Sequence, residues 1–342
     1  MDRVSQAVKE LVEEIQRMPE APDPAETDRH AFTLLLNGIA ACRRAPGIPC
    51  HMGYRTLYRC GDEPASEELK AHLFRLYGIY DRESLEKVCM EQFTSGREYE
   101  QFMTFWCDAP LFDLEELEEK GRRAFETRFK RASLFRPYVG ERGFYAWDIN
   151  ERIGLGRLAC ACGIIDRETF DELTDYQVRK AQVFYHTFKD YAVSCICGAV
   201  YDVPGGDEED MLSFLDLNRK LALHLLEEGG AWYRNAWYAP EKREWVSLLP
   251  HNGGCIVSKQ IVEGRAIGYM YRDSRPSEQW ADTGWRFFAG DESDEYSRNP
   301  DNFTIWSLND ICNLDATILG YAEAKEGSAF GRNAKGEWQR ER

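Results

Sequence analysis

The sequence predicts a multidomain chain, a mostly α-helical N-terminal domain followed by a smaller α+β domain with an antiparallel sheet. Three observations predict it. Apolar residues recur at helical spacing through the first two-thirds of the 342 residues. Beyond residue 229, short aromatic and β-branched runs separated by turn residues take over. Between the two patterns lies the turn-rich acidic stretch VPGGDEED, starting at residue 203. The marks divide the chain into a helical domain over residues 1–205, a connecting helix over 206–228 and an α+β domain over 229–342. A hydrophobic content of 43% is enough for a core and excludes wholesale disorder.

The elements follow in order. Val4, Val8, Leu11 and Ile15 mark one face of a helix over residues 1–18, and the prolines of APDPAET end it. YGIYDRESLE at 77–86 is echoed by CGIIDRETFD at 162–171. In both, a glycine (Gly78, Gly163) can close a helix in the left-handed conformation. An isoleucine (Ile79, Ile164) can pin the corner, and an aspartate (Asp81, Asp166) can cap the next helix. The echo fits either an ancient duplication or convergence on a common corner. Residues 111–136 read as a helix capped by Asp113, with Leu114, Leu117, Phe125 and Phe129 on one face. Its acidic residues precede its basic ones, as the helix dipole favours. Residues 211–228 form one more amphipathic helix, stopped by Gly229 and Gly230. WYRNAWYA, EWVSLL, GCIVSK, AIGYMYR, TGWRFFAG and FTIWS then read as strands, and SLNDICNL as a short helix capped by Ser307.

Composition narrows the function classes. The net charge is −16, and residues 229–342 carry only −3 of it, so the acidic field belongs to the N-terminal part. A chain this acidic is a poor binder of phosphate backbones, which excludes a nucleic-acid partner and favours a basic one. No run of about 18 apolar residues is present, so no membrane span is expected. The charged amphipathic start lacks the apolar segment of a signal peptide, and a cytoplasmic location is expected. Eleven cysteines, an odd number in apolar or helical surroundings, read as reduced buried thiols.

No catalytic order emerges. The pairs Cys160/Cys162 and Cys195/Cys197 offer four thiols, but they lie in apolar helical runs where residues two apart point in different directions. Zinc knuckles need two or more intervening residues, so no metal site and no cofactor are expected. No nucleophile elbow, P-loop, dinucleotide fingerprint or paired-histidine metal motif occurs. Ser258–Lys259 cannot act as a pair on a strand, because neighbouring side chains face opposite sides. Trp147, Asp148 and Arg157 form a second polar group, read as a structural tryptophan with Asp148 as a helix cap.

The densest mixture of charge and aromatic rings runs from 268 to 302 and contains Arg272, Asp282, Trp285, Arg286, Asp291, Glu292 and Tyr296. Singly, these residues fit sheet packing and a solvated acidic loop. Together they have the composition of a recognition surface, with aromatic anchors, arginine forks and fixed carboxylates.

These clusters carry two resemblances. The stretch from GGCIVSK through D-T-G-W-R-F-F-A-G-D-E to the closing Ala329, Phe330 and Arg332, roughly residues 253–332, resembles the bacterial immunity-protein-33-like family. LYGIYDRESLE, Trp147–Asp148 with Arg157, the GIIDRE corner and YAVSCICGAVYD, roughly residues 70–205, resemble a bacterial family of unknown function numbered 1266. The first resemblance implies an immunity protein of a polymorphic toxin system, one that neutralises a toxin by binding it without catalysis. The second implies a helical fold and no known activity. The reading is therefore a cytoplasmic, immunity-like binding protein whose partner is another protein, a toxin by that resemblance, with the seven residues above as its binding surface. The alternative is an enzyme or small-ligand binder with a cleft between the two domains.

Overall fold

The computed structural model describes residues 2–43, 50–51, 53–90, 105, 114–203, 207–240, 245–249, 252–274 and 281–341. They fall into two compact units. One comprises the described residues of Met1–Gln101 and Glu116–Val246, the other those of Phe102–Glu115 and Ser247–Arg342.

The first unit is helical. It runs through α1 (Asp2–Arg17), α2 (Arg29–Leu36), α3 (Gly38–Cys42), α4 (Glu63–Tyr77), α5 (Arg82–Met90), α6 (Glu119–Val139), α7 (Tyr145–Ala161), α8 (Arg167–Phe184), α9 (Phe188–Tyr201), α10 (Glu208–Leu226) and the short α11 (Ala231–Arg234). A two-residue ladder, β1 (Cys50–His51) with β2 (Arg59–Cys60), interrupts them. Val4, Val8, Leu11 and Ile15 of α1 are all buried, as their spacing predicts. Both glycine corners form. Gly78 and Gly163 take φ of 69° and 77°. The N–H of Ile79 then donates to the Leu73 carbonyl, and that of Ile164 to the Ala159 carbonyl, the bond pattern that closes a helix end. Asp81 and Asp166 accept from the N–H of Ser84 and Thr169, each at 2.8 Å. The second corner departs in one respect, since Ile165 rather than Ile164 is the buried isoleucine.

Helix α7 is the centre of this unit. It packs against α2, α3, α4, α8 and α9. Buried on every side, it shows no apolar stripe, which is why its sequence has no clear periodicity. Asp148 lies in its first turn rather than at the cap, because the helix already starts at Tyr145. Helix α9 crosses α7 at Gly198. A Cβ there would stand 3.1 Å from Trp147 Cγ and 3.2 Å from Phe144 Cβ, and closer still to Trp147 Cβ. Gly198→Ala should therefore lower stability by about 1–3 kcal/mol through overpacking. Thermal unfolding checks it, and an unchanged midpoint would contradict the close approach.

Three sequence expectations shift here. Helix α6 starts at Glu119, and residues 114–117 form a turn ahead of it; the Asp113 cap lies outside the described residues. Phe129 is exposed, so the expected apolar face is not a core face. WYRNAWYA is not a strand. Trp232 donates its indole N–H to the Leu35 carbonyl at 2.9 Å and stacks on Phe188 at 5.5 Å, while Trp237 meets Phe32 edge-on at 4.7 Å. The rings that suggested a sheet complete the helical core instead.

The second unit contains a six-stranded sheet among the described residues. Its elements are β3 (Gly254–Ser258), α12 (Lys259–Val262), β4 (Tyr269–Arg272), β5 (Asp282–Phe288), α13 (Asp294–Arg298), β6 (Phe303–Ser307), α14 (Leu308–Leu314), β7 (Ala329–Arg332) and β8 (Trp338–Arg340). The order across the sheet is β6-β3-β5-β4-β7-β8. β3 and β5 run parallel and the other neighbours antiparallel. Ser307 caps α14 as expected, accepting from Asp310 N–H at 3.0 Å. Residues 245–249 of EWVSLL take no regular structure, and β7 and β8 are strands that the sequence pattern did not mark. Among the described residues no helix is long and apolar enough to cross a membrane.

Candidate functional site

Strand alternation gives this sheet two chemically different faces. Cys255, Val257, Met270, Trp285, Phe287 and Phe330 share one face and are buried. Ile256, Tyr269, Tyr271, Phe288, Phe303 and Ile305 share the other. There the side chains remain half-buried, and Ile305 on the edge strand β6 is 58% exposed. Their rings form a continuous strip. Phe288 stacks on Tyr271 at 5.9 Å and meets Phe303 edge-on at 5.4 Å, and Phe303 in turn meets Tyr296 at 5.9 Å.

The seven predicted residues distribute over this frame. Trp285 lies in the buried face, fully enclosed, with its indole N–H donating to the Ala322 carbonyl at 3.0 Å. Arg272 is a cross-link, donating to the Thr283 and Ala324 carbonyls at 3.0 and 2.7 Å. Asp282 and Arg286 pair with each other, two hydrogen bonds of 2.8 and 2.9 Å joining carboxylate and guanidinium. Residues four apart on a straight strand stand about 13 Å apart. The pair forms because β5 is bulged against β3 at Gly284, whose φ is +80°. Asp282 also accepts from the Gly284 N–H at 2.9 Å, which fixes the bulge. Arg286 stands opposite Tyr271 and Ile256, so the pair forms a buried, charged base to one end of the aromatic strip.

The other end is built by Glu292, Tyr296 and Ser258. The Glu292 carboxylate accepts from the N–H groups of Ala289 and Gly290, each at 2.8 Å. Burial pushes its carboxyl up, but these two donors and the Ser258 hydroxyl outweigh burial and hold it below the usual range. Tyr296 donates its hydroxyl to the Asn302 carbonyl at 3.1 Å and accepts from Ser258 at 3.3 Å. Asp291 is exposed beside Arg265, whose guanidinium at 2.7 Å holds the carboxyl below its ordinary value.

The arrangement therefore brings Arg286, Asp282, Glu292 and Tyr296 to the two ends of one face, and places Trp285 and Arg272 as its support. The strip itself, Tyr269, Tyr271, Phe288, Phe303, Ile256 and Ile305, was absent from the predicted set. Its signal was present in the alternation of Y-M-Y, R-F-F and F-T-I, where every second residue shares a face. Among the described residues no group of three or more histidine, cysteine, aspartate or glutamate side chains could hold a metal ion.

The second predicted group is a buried clamp. Arg157 donates to Asn37 Oδ1 at 3.0 Å and to the Thr56 carbonyl at 2.6 Å, and also to the Gly53 carbonyl. Its guanidinium lies 3.8 Å from the centre of the Tyr58 ring, whose hydroxyl donates to Asn37 Oδ1 at 3.0 Å. Asn37 in turn donates to the Asn150 carbonyl at 2.7 Å. This network ties the 53–58 loop to α7.

No curated protein and no solved structure matches the chain. Residues 72–237 match the family described as Protein of unknown function (DUF1266). This match runs past α10 to Trp237, the same aromatic run that packs with the helices. The strands of the six-stranded sheet, from Cys255 onward, and the two-ended aromatic face fall within the second match, in which residues 255–342 correspond to the Immunity protein Imm33 domain.

Proposed function

We propose that this chain is an immunity-like binding protein of the bacterial cytoplasm that neutralises a toxin by direct contact. The partner would dock on the half-exposed aromatic face of the C-terminal sheet. The observation that carries the reading is that face: a strip of rings with a charged group fixed at each end, inside the segment that matches an immunity domain. Tyrosine and phenylalanine supply contact area at low entropic cost. The Glu292 carboxylate is already held by internal bonds, so a partner meets it without paying to order it, and the buried Asp282–Arg286 pair sets the field beneath the other end of the strip. Asp291, Glu292 and the neighbouring exposed carboxylates Asp294 and Glu295 favour a basic partner rim. Arg272 and Trp285 act from beneath, holding β4 and β5 in place.

The test uses the full chain as bait in a lysate of its native host, with Ile305→Asp as the discriminating variant. Ile305 is exposed, so this change spares the core. The captured protein, expressed alone, should arrest growth, and co-expression of the chain should restore it. Ile305→Asp should weaken binding at least tenfold, about 1.4 kcal/mol. A captured protein that is harmless, or that binds Ile305→Asp as tightly as wild type, would refute the reading.

A further inference from the structure

The helical unit contains a cavity of about 460 Å³ that the immunity reading does not use. That volume is within the range of small-molecule sites. Leu35, Ala31 and Ala231 supply apolar wall, and Tyr54, Arg55, His224 and Arg234 supply the polar groups. The chain carries a net charge of −16, yet no carboxylate lines this cavity among the described residues. Other arginines of this unit hold carboxylates: Arg82, Arg142 and Arg219 each have one within 3.2 Å. Arg55 and Arg234 hold none among the described residues. His224 keeps its own partner, Glu227, at 2.7 Å.

The Arg234 fork has a built seat. Gly229 sits at φ +84°, and a Cβ at that position would stand 3.1 Å from Arg234 Nη2. Glycine thus satisfies both the backbone conformation and the space the guanidinium occupies. Arg55 lines the same cavity from the 53–58 loop, next to Tyr54. Two unneutralised forks at one cavity match a dianion, and planar guanidinium groups bind phosphate bidentately. The apolar wall matches an organic body rather than a bare ion.

We propose that this cavity binds a small organic phosphate, its phosphate held between Arg55 and Arg234 and its organic part against Leu35 and Tyr54. The test is calorimetric titration of the full chain at low salt with AMP, inorganic phosphate and adenosine. AMP should bind at least tenfold more tightly than inorganic phosphate, and adenosine should give no heat. Arg234→Gln and Arg55→Gln should each weaken AMP binding at least tenfold while leaving the melting temperature of the unliganded chain unchanged. Arg234→Lys, which keeps the charge and loses the fork, should also weaken it. Absence of AMP binding, or binding that survives both glutamine variants, would overturn the proposal. AMP binding no tighter than inorganic phosphate would overturn the part assigned to the organic group.

Discussion

Replacing Trp285 by alanine should destabilise the C-terminal unit by about 3–5 kcal/mol, the usual range for deleting a fully buried indole. Trp285 occupies β5, an interior strand of the sheet, with no exposed surface. Its ring packs against Phe287 at 5.9 Å and Phe330 at 6.3 Å, so deletion opens a cavity on the buried face of the sheet. It also leaves the Ala322 carbonyl without its indole donor. Trp285→Phe should recover most of the packing and forfeit only the hydrogen bond, about 1 kcal/mol. Urea unfolding of the full chain, with hydrogen exchange of the sheet amides to assign the transition, measures both variants. An alanine variant as stable as wild type would show that Trp285 does not support the sheet. If the prediction holds, lost partner binding in Trp285→Ala would report unfolding, which is why the binding test rests on Ile305.

Arg157→Met should cost the helical unit about 3 kcal/mol or more. Methionine keeps much of the volume and removes every donor. The carbonyls of Gly53 and Thr56 then lose a charged partner, and each buried acceptor left unmatched costs about 1–3 kcal/mol. The cation over the Tyr58 ring is lost as well. The effect should be uneven. Amides of residues 53–58 should exchange with solvent much faster, while those of α1, far from the clamp in sequence and held by its own buried stripe, should change little. Uniform loss of protection across the unit, or none, would contradict the clamp.

The helical elements that were legible are those whose signal is local. The stripe of α1, the two glycine corners and the Ser307 cap depend on residues within a turn of one another, and each forms, the second corner differing only in which isoleucine is buried. Four of the six strands, β3 to β6, were legible for the same reason, as alternating runs between turn residues. WYRNAWYA misled because large aromatic rings favour any dense interior, and composition does not say whether that interior is helical or pleated. Helix α7 lost its period because neighbours surround it on every side. β7 and β8 are short; β7 pairs with β4, about sixty positions away in sequence, and β8 pairs with β7 in turn.

The candidate surface divides along the same line. By itself the sequence determined which residues crowd into 268–302, that they mix rings with charges, and the family that this stretch resembles. Period two told which side chains share a face, and it is silent on which face is covered. Only the tertiary structure decided that Trp285 turns inward while Tyr271, Phe288 and Ile305 stay partly open. Only the bulge at Gly284 brings Asp282 within hydrogen-bond reach of Arg286, a contact that a straight strand forbids. The physical reason is common to both. Local conformation is encoded by neighbours in sequence, whereas burial and register depend on which distant segment arrives to pack.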